Sequence, residues 1–189
     1  MTQAEFPLPG DLPVPLDDGG ADHLSGLSVP DLELQATTGE MVQLSALPGP
    51  RTVLYLYPMT GRPGVALPDG WDQIPGARGC TPESCAFRDH HAELRSAGAH
   101  VYGLSSQDRD YQAEAVQRLG LPFPILSDPG LELAARLGLP TFDAGTGPLY
   151  KRLTMVIAAG RIEHVFYPVF PPDEHAGRVL AWLRAHPVA

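Results

Sequence analysis

With 189 residues, 43% of them hydrophobic, the chain is long enough to bury a sizeable core, and its length fits one domain. A formal net charge of −9 with only thirteen Lys and Arg argues against nucleic-acid backbones and anionic membrane surfaces, which are held by clustered cations. The expected partners are a small molecule and a protein.

Residues 1–26 are acidic and broken by Pro7, Pro9, Pro13 and Pro15, and read as a Pro/Gly-rich arm that covers the body or stays mobile, ahead of a domain over 27–189. No basic stretch followed by an apolar one marks a secretory leader, and no apolar run approaches bilayer-spanning length, so a cytoplasmic location is expected. Leu32, Leu34 and Ala36 alternate with polar residues, Thr37-Thr38-Gly39-Glu40 reads as a turn, and residues 41–44 return, which predicts an N-terminal hairpin. Residues 52–57 are a continuous run of β-formers, predicting a strand buried on both faces that ends at Pro58. The connection 58–79 is punctuated by Gly and Pro, with Trp71 its large apolar side chain; a link this long is a functional lid or a disordered excursion. A helix is expected over 80–97, a second buried strand over 100–105, and an amphipathic helix over 108–119 with Ala113, Val116 and Leu119 on its apolar stripe. Residues 123–126 lead to a short helix at 129–137. A hairpin follows over 153–158 and 162–167, then a last helix near 172–186 with Val179, Leu180, Trp182 and Leu183 mostly toward the core. Strands alternating with helices, with hairpins at both ends, predict an α/β fold in which a central mixed sheet is flanked by helices.

Both cysteines lie in Gly79-Cys80-Thr81-Pro82-Glu83-Ser84-Cys85-Ala86-Phe87-Arg88-Asp89. Thr81 is a good N-cap, Pro82 suits a first helical turn, and Glu83 is favourable at the positive end of a helix dipole. Cys80 is thus expected near a helix start, where unpaired N–H groups favour the thiolate, whereas Cys85 lies a turn further in and lacks them. Two cysteines in a chain read as cytosolic point to catalytic, redox or metal use. The absence of Cys-x-x-Cys argues against a dithiol exchanger. Zinc held by Cys80, Cys85, His90 and His91 requires four ligands on one helix to converge tetrahedrally, which they cannot easily do. A redox sensor that relays its oxidation to a partner protein uses the same cysteines and stays open.

The strand ending at Tyr57-Pro58, the Gly-Cys-Thr-x-Glu-x-Cys-x-Phe-Arg-Asp run, the strand 101–105 and Arg152 just before 153–157 together resemble a peroxiredoxin, over roughly residues 27–186. The second cysteine five residues after the first resembles the bacterioferritin comigratory protein or PrxQ branch. The resemblance implies a thioredoxin-like fold and reduction of hydrogen peroxide or organic hydroperoxides, with Cys80 the peroxidatic thiol and Cys85 the resolving thiol. It also implies that Arg152 helps hold thiolate and peroxide and that Pro58 ends the strand before the active loop. Gly79 and Glu83, flanking Cys80 in the motif, are read as substrate-binding positions. A thioredoxin-like reductant and a monomer are implied, with no cofactor. The family's threonine three residues before the reactive cysteine is replaced by Ala77; Thr60 takes over its role if residues 61–75 are an insertion that loops out and returns. The same insertion sets Arg78 near Cys80 as a competing cation, with the family pattern favouring Arg152.

Overall fold

In the computed structural model, which describes residues 7–188, the alternating stretch after Pro30 pairs as expected. Strands β1 (Glu33–Ala36) and β2 (Met41–Gln43) run antiparallel with Leu34 opposite Val42. Strand β3 (Arg51–Leu56) is buried along its whole length, which is why its sequence shows no polar alternation. Helices α1 (Cys80–Asp89) and α2 (His91–Ser96) lead into β4 (Ala99–Ser105), followed by α3 (Arg109–Leu119), β5 (Ile125–Ser127) and α4 (Glu132–Leu137). Strands β6 (Thr141–Asp143), β7 (Pro148–Tyr150), β8 (Leu153–Ala158) and β9 (Arg161–Phe166) precede α5 (His175–Ala185). Among the described residues seven strands form one sheet in the order β2-β1-β5-β4-β3-β8-β9. Strands β3, β4 and β5 are mutually parallel and the other pairings antiparallel, so the sheet is mixed as the sequence implied.

Because alternate side chains of a strand point to opposite faces, β3 feeds two cores. Leu54 and Leu56 join Leu34, Leu133, Leu137 and Tyr150 on the face covered by α4. Val53 and Tyr55 join Cys80, Cys85, Phe87, Leu94 and Leu180 on the face covered by α1, α2 and α5. The cysteine-bearing helix therefore packs directly on the central strand, with the Phe87 ring stacked on Tyr55 at 4.4 Å. This is the thioredoxin-like architecture expected from the sequence.

The differences have local causes. The helix expected over 80–97 is broken at His90, although the His90 N–H still reaches the Ala86 carbonyl (3.0 Å) and the Leu94 N–H the His90 carbonyl (2.9 Å). With no Gly or Pro at the kink, periodicity runs through it. The buried stripe of α3 is Gln112, Ala115 and Leu119, displaced from the expected Ala113 and Val116, because the Gln112 amide donates to Ser105 Oγ at 2.8 Å. Helix α4 starts at Glu132, later than expected, where Asp128 accepts from the N–H groups of Glu132 and Leu133 at 2.9 Å each. The described part of the arm lies on the body: Leu24 is fully buried, and Asp18 accepts from Lys151 Nζ (2.6 Å) and the Tyr167 hydroxyl (2.7 Å). The connection 58–79 is held by a small core of its own, in which Trp71 packs with Ala77 and Leu149 and, at its edge, Leu67, Ile74 and Phe142. Phe142 and Leu149 belong to the β6–β7 hairpin, an element sequence reasoning did not find.

One buried group gives the fold a pH dependence. His175, at the start of α5, is 2% exposed, bonded through Nε2 to Thr154 Oγ1 at 2.8 Å and edge-on to Phe87 and Phe166. Burial, reinforced by the charges of Arg152 and Arg178, pushes its imidazole down to about 3. The unfolded chain takes up this proton below about 6.5 and the folded one does not, so the stabilisation is complete above that pH and lost as pH falls toward 3. Between pH 7.5 and pH 5 urea unfolding should show about 2 kcal/mol more loss in the wild type than in His175→Gln, which cannot ionise. Equal losses in the two proteins would remove His175 as the source.

Candidate active site

The chain enters α1 through Gly79, whose φ of +110° is a conformation that L side chains rarely adopt; a Cβ there would also meet Pro172 Cγ at 2.3 Å. Gly79, and not Thr81, is the capping residue, and no side chain caps the helix. The correction follows from the bond of the Glu83 N–H to the Gly79 carbonyl (3.0 Å), which starts the helix two residues earlier than the threonine suggested. Cys80 is therefore the first residue of α1, with Pro82 in its first turn, and it is 3% exposed.

Arg152, immediately before β8, reaches this point from the neighbouring strand. It is 3% exposed, and its Nη2 lies 3.2 Å from Cys80 Sγ, 3.2 Å from the Ala77 carbonyl and 3.3 Å from the carbonyls of Gly76 and Arg78. Its Nη1 donates to Glu83, which is fully buried. The Cys80 S–H donates to the Ala77 carbonyl at 3.6 Å, and the Met59 N–H is bonded to the sulfur. Burial pushes the Cys80 thiol up, Arg152 and the Met59 N–H pull it down, and Glu83 raises it again. The helix-start argument thus gives one part of the balance, and burial, which the sequence does not show, outweighs it in this closed form. Burial likewise pushes the Glu83 carboxyl up to about 7 against the pull of Arg152. Burial also opposes the Arg152 charge, but Cys80 and Glu83 outweigh it and hold the guanidinium charged.

The other expected residues separate. Pro58 is buried at the end of β3, beside the loop that carries Met59. Thr60 is buried but its hydroxyl meets Gln107 Oε1 at 3.2 Å, and its N–H and carbonyl also bond the Gln107 amide (2.8 and 3.0 Å). The expectation that Thr60 serves the thiol is corrected accordingly: the side chain ties the end of β3 to the end of β4, and the Met59 backbone takes the position beside the sulfur. Arg78 points outward, 3.1 Å from Asp72 with its side chain 37% exposed, so Arg152 is the cation at the thiol. Glu83 faces Arg152 instead of the open cavity, which places it behind the guanidinium and not among substrate contacts. Cys85 is buried in the core beneath α1, and both thiols are reduced. His90 and His91 join neither cysteine: among the described residues no three His, Cys, Asp or Glu side chains converge on a point that would hold a metal. No described helix is long and apolar enough to cross a membrane.

Above Cys80 opens a cavity of about 380 Å³, floored by Gly79, Cys80, Thr81 and Pro82 and walled by the connection 58–79 and by Pro7 and Leu8. Met59 and Gln107 were not found from the sequence. No single-sequence signal marks a backbone N–H donor, while Gln107 had one clue, a polar cluster just past the end of a buried strand.

Comparison with known proteins agrees with this geometry. The Redoxin family pattern matches residues 24–180. Peroxiredoxin Q of Oryza sativa subsp. japonica, chloroplastic, is 32% identical over 161 residues, 85% of this chain; the chain spans 66% of that relative's length. Peroxidoxin BcpB of Mycobacterium tuberculosis superposes with a TM-score of 0.70 at 31% identity, covering 88% of this chain and 100% of that one. PrxQ of Xylella fastidiosa, at 22% identity, shares the fold with a TM-score of 0.70 over 87% of this chain and 98% of its own. A reactive-cysteine motif at a helix start, a buried arginine against its sulfur and a match over most of the sheet converge on one assignment: the chain belongs to the redoxin family, among the peroxiredoxins of the Q type.

Proposed function

We propose that this protein is a thiol peroxidase that reduces hydroperoxides through Cys80. The observation that carries the reading is the buried Arg152 guanidinium 3.2 Å from Cys80 Sγ at the base of an open cavity. The thiolate attacks the terminal oxygen of ROOH, the O–O bond breaks, and an S–O bond forms. The departing RO⁻ takes a proton and leaves as ROH, and Cys80 is left as sulfenic acid. Ionisation of a thiol from an ordinary pKa near 8.5 gains at most about tenfold to thirtyfold at pH 7. Most of the rate therefore comes from Arg152 and the Met59 N–H, which align the peroxide and stabilise charge on the leaving oxygen. Condensation with the Cys85 thiol releases water and forms the Cys80–Cys85 disulfide, and a dithiol reductant of the thioredoxin type restores both thiols. One chain suffices, since both cysteines lie on one helix.

The test is peroxide consumption with thioredoxin, thioredoxin reductase and NADPH. The wild type should turn over continuously and Cys80→Ser not at all. Oxidation of Cys80 once, with no turnover in the presence of reductant, would favour the sensor that passes oxidation to a partner. Turnover retained in Cys80→Ser would overturn the assignment of the thiol.

A further inference from the structure

Helix α1 is tied to the sheet beneath it at two consecutive residues. Glu83 is gripped by Arg152, just ahead of β8, and the Ser84 hydroxyl lies 3.0 Å from the Tyr55 hydroxyl of β3. Tyr55 and Ser84 are both fully buried, so bulk water is not at hand to replace either partner. The place of the Tyr55 ring is built from three sides. Phe87 stacks on it, Phe123 meets it edge-on at 5.9 Å, and Gly103 in the middle of β4 leaves it room. A Cβ on Gly103 would come within 2.9 Å of both the Tyr55 hydroxyl and the carbon that bears it. A glycine inside a strand costs stability, and here it admits a phenol that reaches α1.

Neither hydroxyl takes part at the sulfur. Among the described residues, the hydrogen bonds of Cys80 Sγ involve Arg152, the Met59 N–H and the Ala77 carbonyl. Ser84 lies instead between the two thiols in sequence, next to Cys85. The attack on peroxide needs no movement of Ser84, since Cys80 already floors the cavity. The disulfide step does need it, because regular helix holds Cα atoms five residues apart about 8–9 Å from one another, beyond the roughly 7 Å that a disulfide spans. Opening α1 pulls Ser84 off Tyr55 and leaves a buried phenol without its partner.

We infer that Tyr55 is a positioning residue for the second half of the cycle: its hydrogen bond to Ser84 latches α1 closed, and breaking that bond is part of the barrier to the Cys80–Cys85 disulfide. This rests on the peroxidase reading above and adds the device that times it. The sulfenic acid on Cys80 has two fates. Either the Cys85 thiol condenses with it and releases water, or a second ROOH oxidises it to the sulfinic acid and leaves as ROH. By delaying the first fate, the latch sets the share of the second.

Quenched-flow mass spectrometry on Tyr55→Phe, which keeps the stacked ring, and on Ser84→Ala reads the two steps separately. Loss of the Cys80 thiol should keep its wild-type rate, while the disulfide should form about threefold to tenfold faster, the worth of one ordinary hydrogen bond. The sulfinic fraction at high peroxide should fall in step. The double variant, which orphans no hydroxyl, should be no faster than either single one, because the bond can be lost only once. In the reduced proteins hydrogen exchange should quicken by the same factor across residues 80–90 and stay unchanged in β8 and β9. Faster exchange everywhere would mean general loosening and overturn the latch. An unchanged disulfide rate, a slower first step, or effects of the two substitutions that multiply would overturn it as well, and leave the peroxidase intact. Local exchange that responds as stated in a protein whose Cys80 peroxide fails to oxidise would sustain the latch on α1 while sinking the peroxidase reading.

Discussion

Arg152→Met should slow the reaction of Cys80 with hydrogen peroxide by about 10²–10³-fold, the loss typical of removing one pre-positioned donor to a developing oxyanion. The substitution keeps the stem that fills the space beside β8 and removes the charge that sits 3.2 Å from the sulfur. The thiol should move further up as well, since burial then acts with less opposition. A rate deficit that persists at a pH high enough to ionise the thiol is therefore the diagnostic measurement, because ionisation no longer limits it and only transition-state stabilisation is missing. Glu83 is fully buried and would be left without its cation, and breaking such a pair destabilises proteins by about 3–5 kcal/mol. The double variant Arg152→Met/Glu83→Gln removes that complication: it should recover much of the stability and none of the rate. Arg78→Met should affect hydrogen peroxide much less, as Arg78 is paired with Asp72 at the surface. The reverse ranking would mean that the connection 58–79 has reorganised the site and that Arg152 is structural.

Oxidation by one equivalent of peroxide should produce an intramolecular Cys80–Cys85 disulfide and unwind the start of α1. The helix runs unbroken from Cys80 to Asp89. Five residues of regular helix set two Cα atoms about 8–9 Å apart with side chains some 140° apart around the axis. A disulfide needs Cα atoms within about 7 Å. This is the terminal turn of the helix, closed by the bond of the Glu83 N–H to the Gly79 carbonyl (3.0 Å), and a terminal turn opens more easily than an interior one. Cys85 is 5% exposed and shares its core with Phe87, which lies between Tyr55 and His175. Drawing Cys85 out therefore disturbs that aromatic contact as well as the helix. Hydrogen-exchange protection should fall across residues 80–90 in the oxidised protein, and mass spectrometry should find one linked peptide. Trp71, buried beside the same cavity, should report the change in its fluorescence. A stable sulfenic or sulfinic acid on Cys80, or disulfides only between chains, would remove Cys85 from the resolving role.

Much of this was legible in the sequence because the informative residues act locally or through pattern. The run 52–57 announced a central strand, and the Gly79–Asp89 motif announced the helix and its thiol. Arg152 was found only through its place before a buried strand in the family pattern; composition alone reads it as a solvated strand end. What escaped depends on contacts between distant segments. Thr60 was assigned by its distance along the chain from Pro58, but Gln107, 47 residues away, decides where its hydroxyl goes. The apolar stripe of α3 was misplaced because a polar residue, Gln112, is buried there by its bond to Ser105. The β6–β7 hairpin is two strands of three residues each, too short for alternation to register, and Pro148 inside the second argues against a strand. The elevation of the Cys80 thiol is a property of its burial, which no local motif records.

The crowding around Arg152 Nη2 has one more consequence. Two hydrogens face four acceptors there, namely the sulfur and the carbonyls of residues 76, 77 and 78. When Cys80 swings away to meet Cys85, the guanidinium still has three oxygens to choose from. The departure therefore strands no buried donor and avoids the penalty of about 1–3 kcal/mol that an orphaned polar group incurs. Arg152 can stay in place as a fixed post while the sulfur comes and goes, its donors paired throughout and the receptor ready for the sulfur's return.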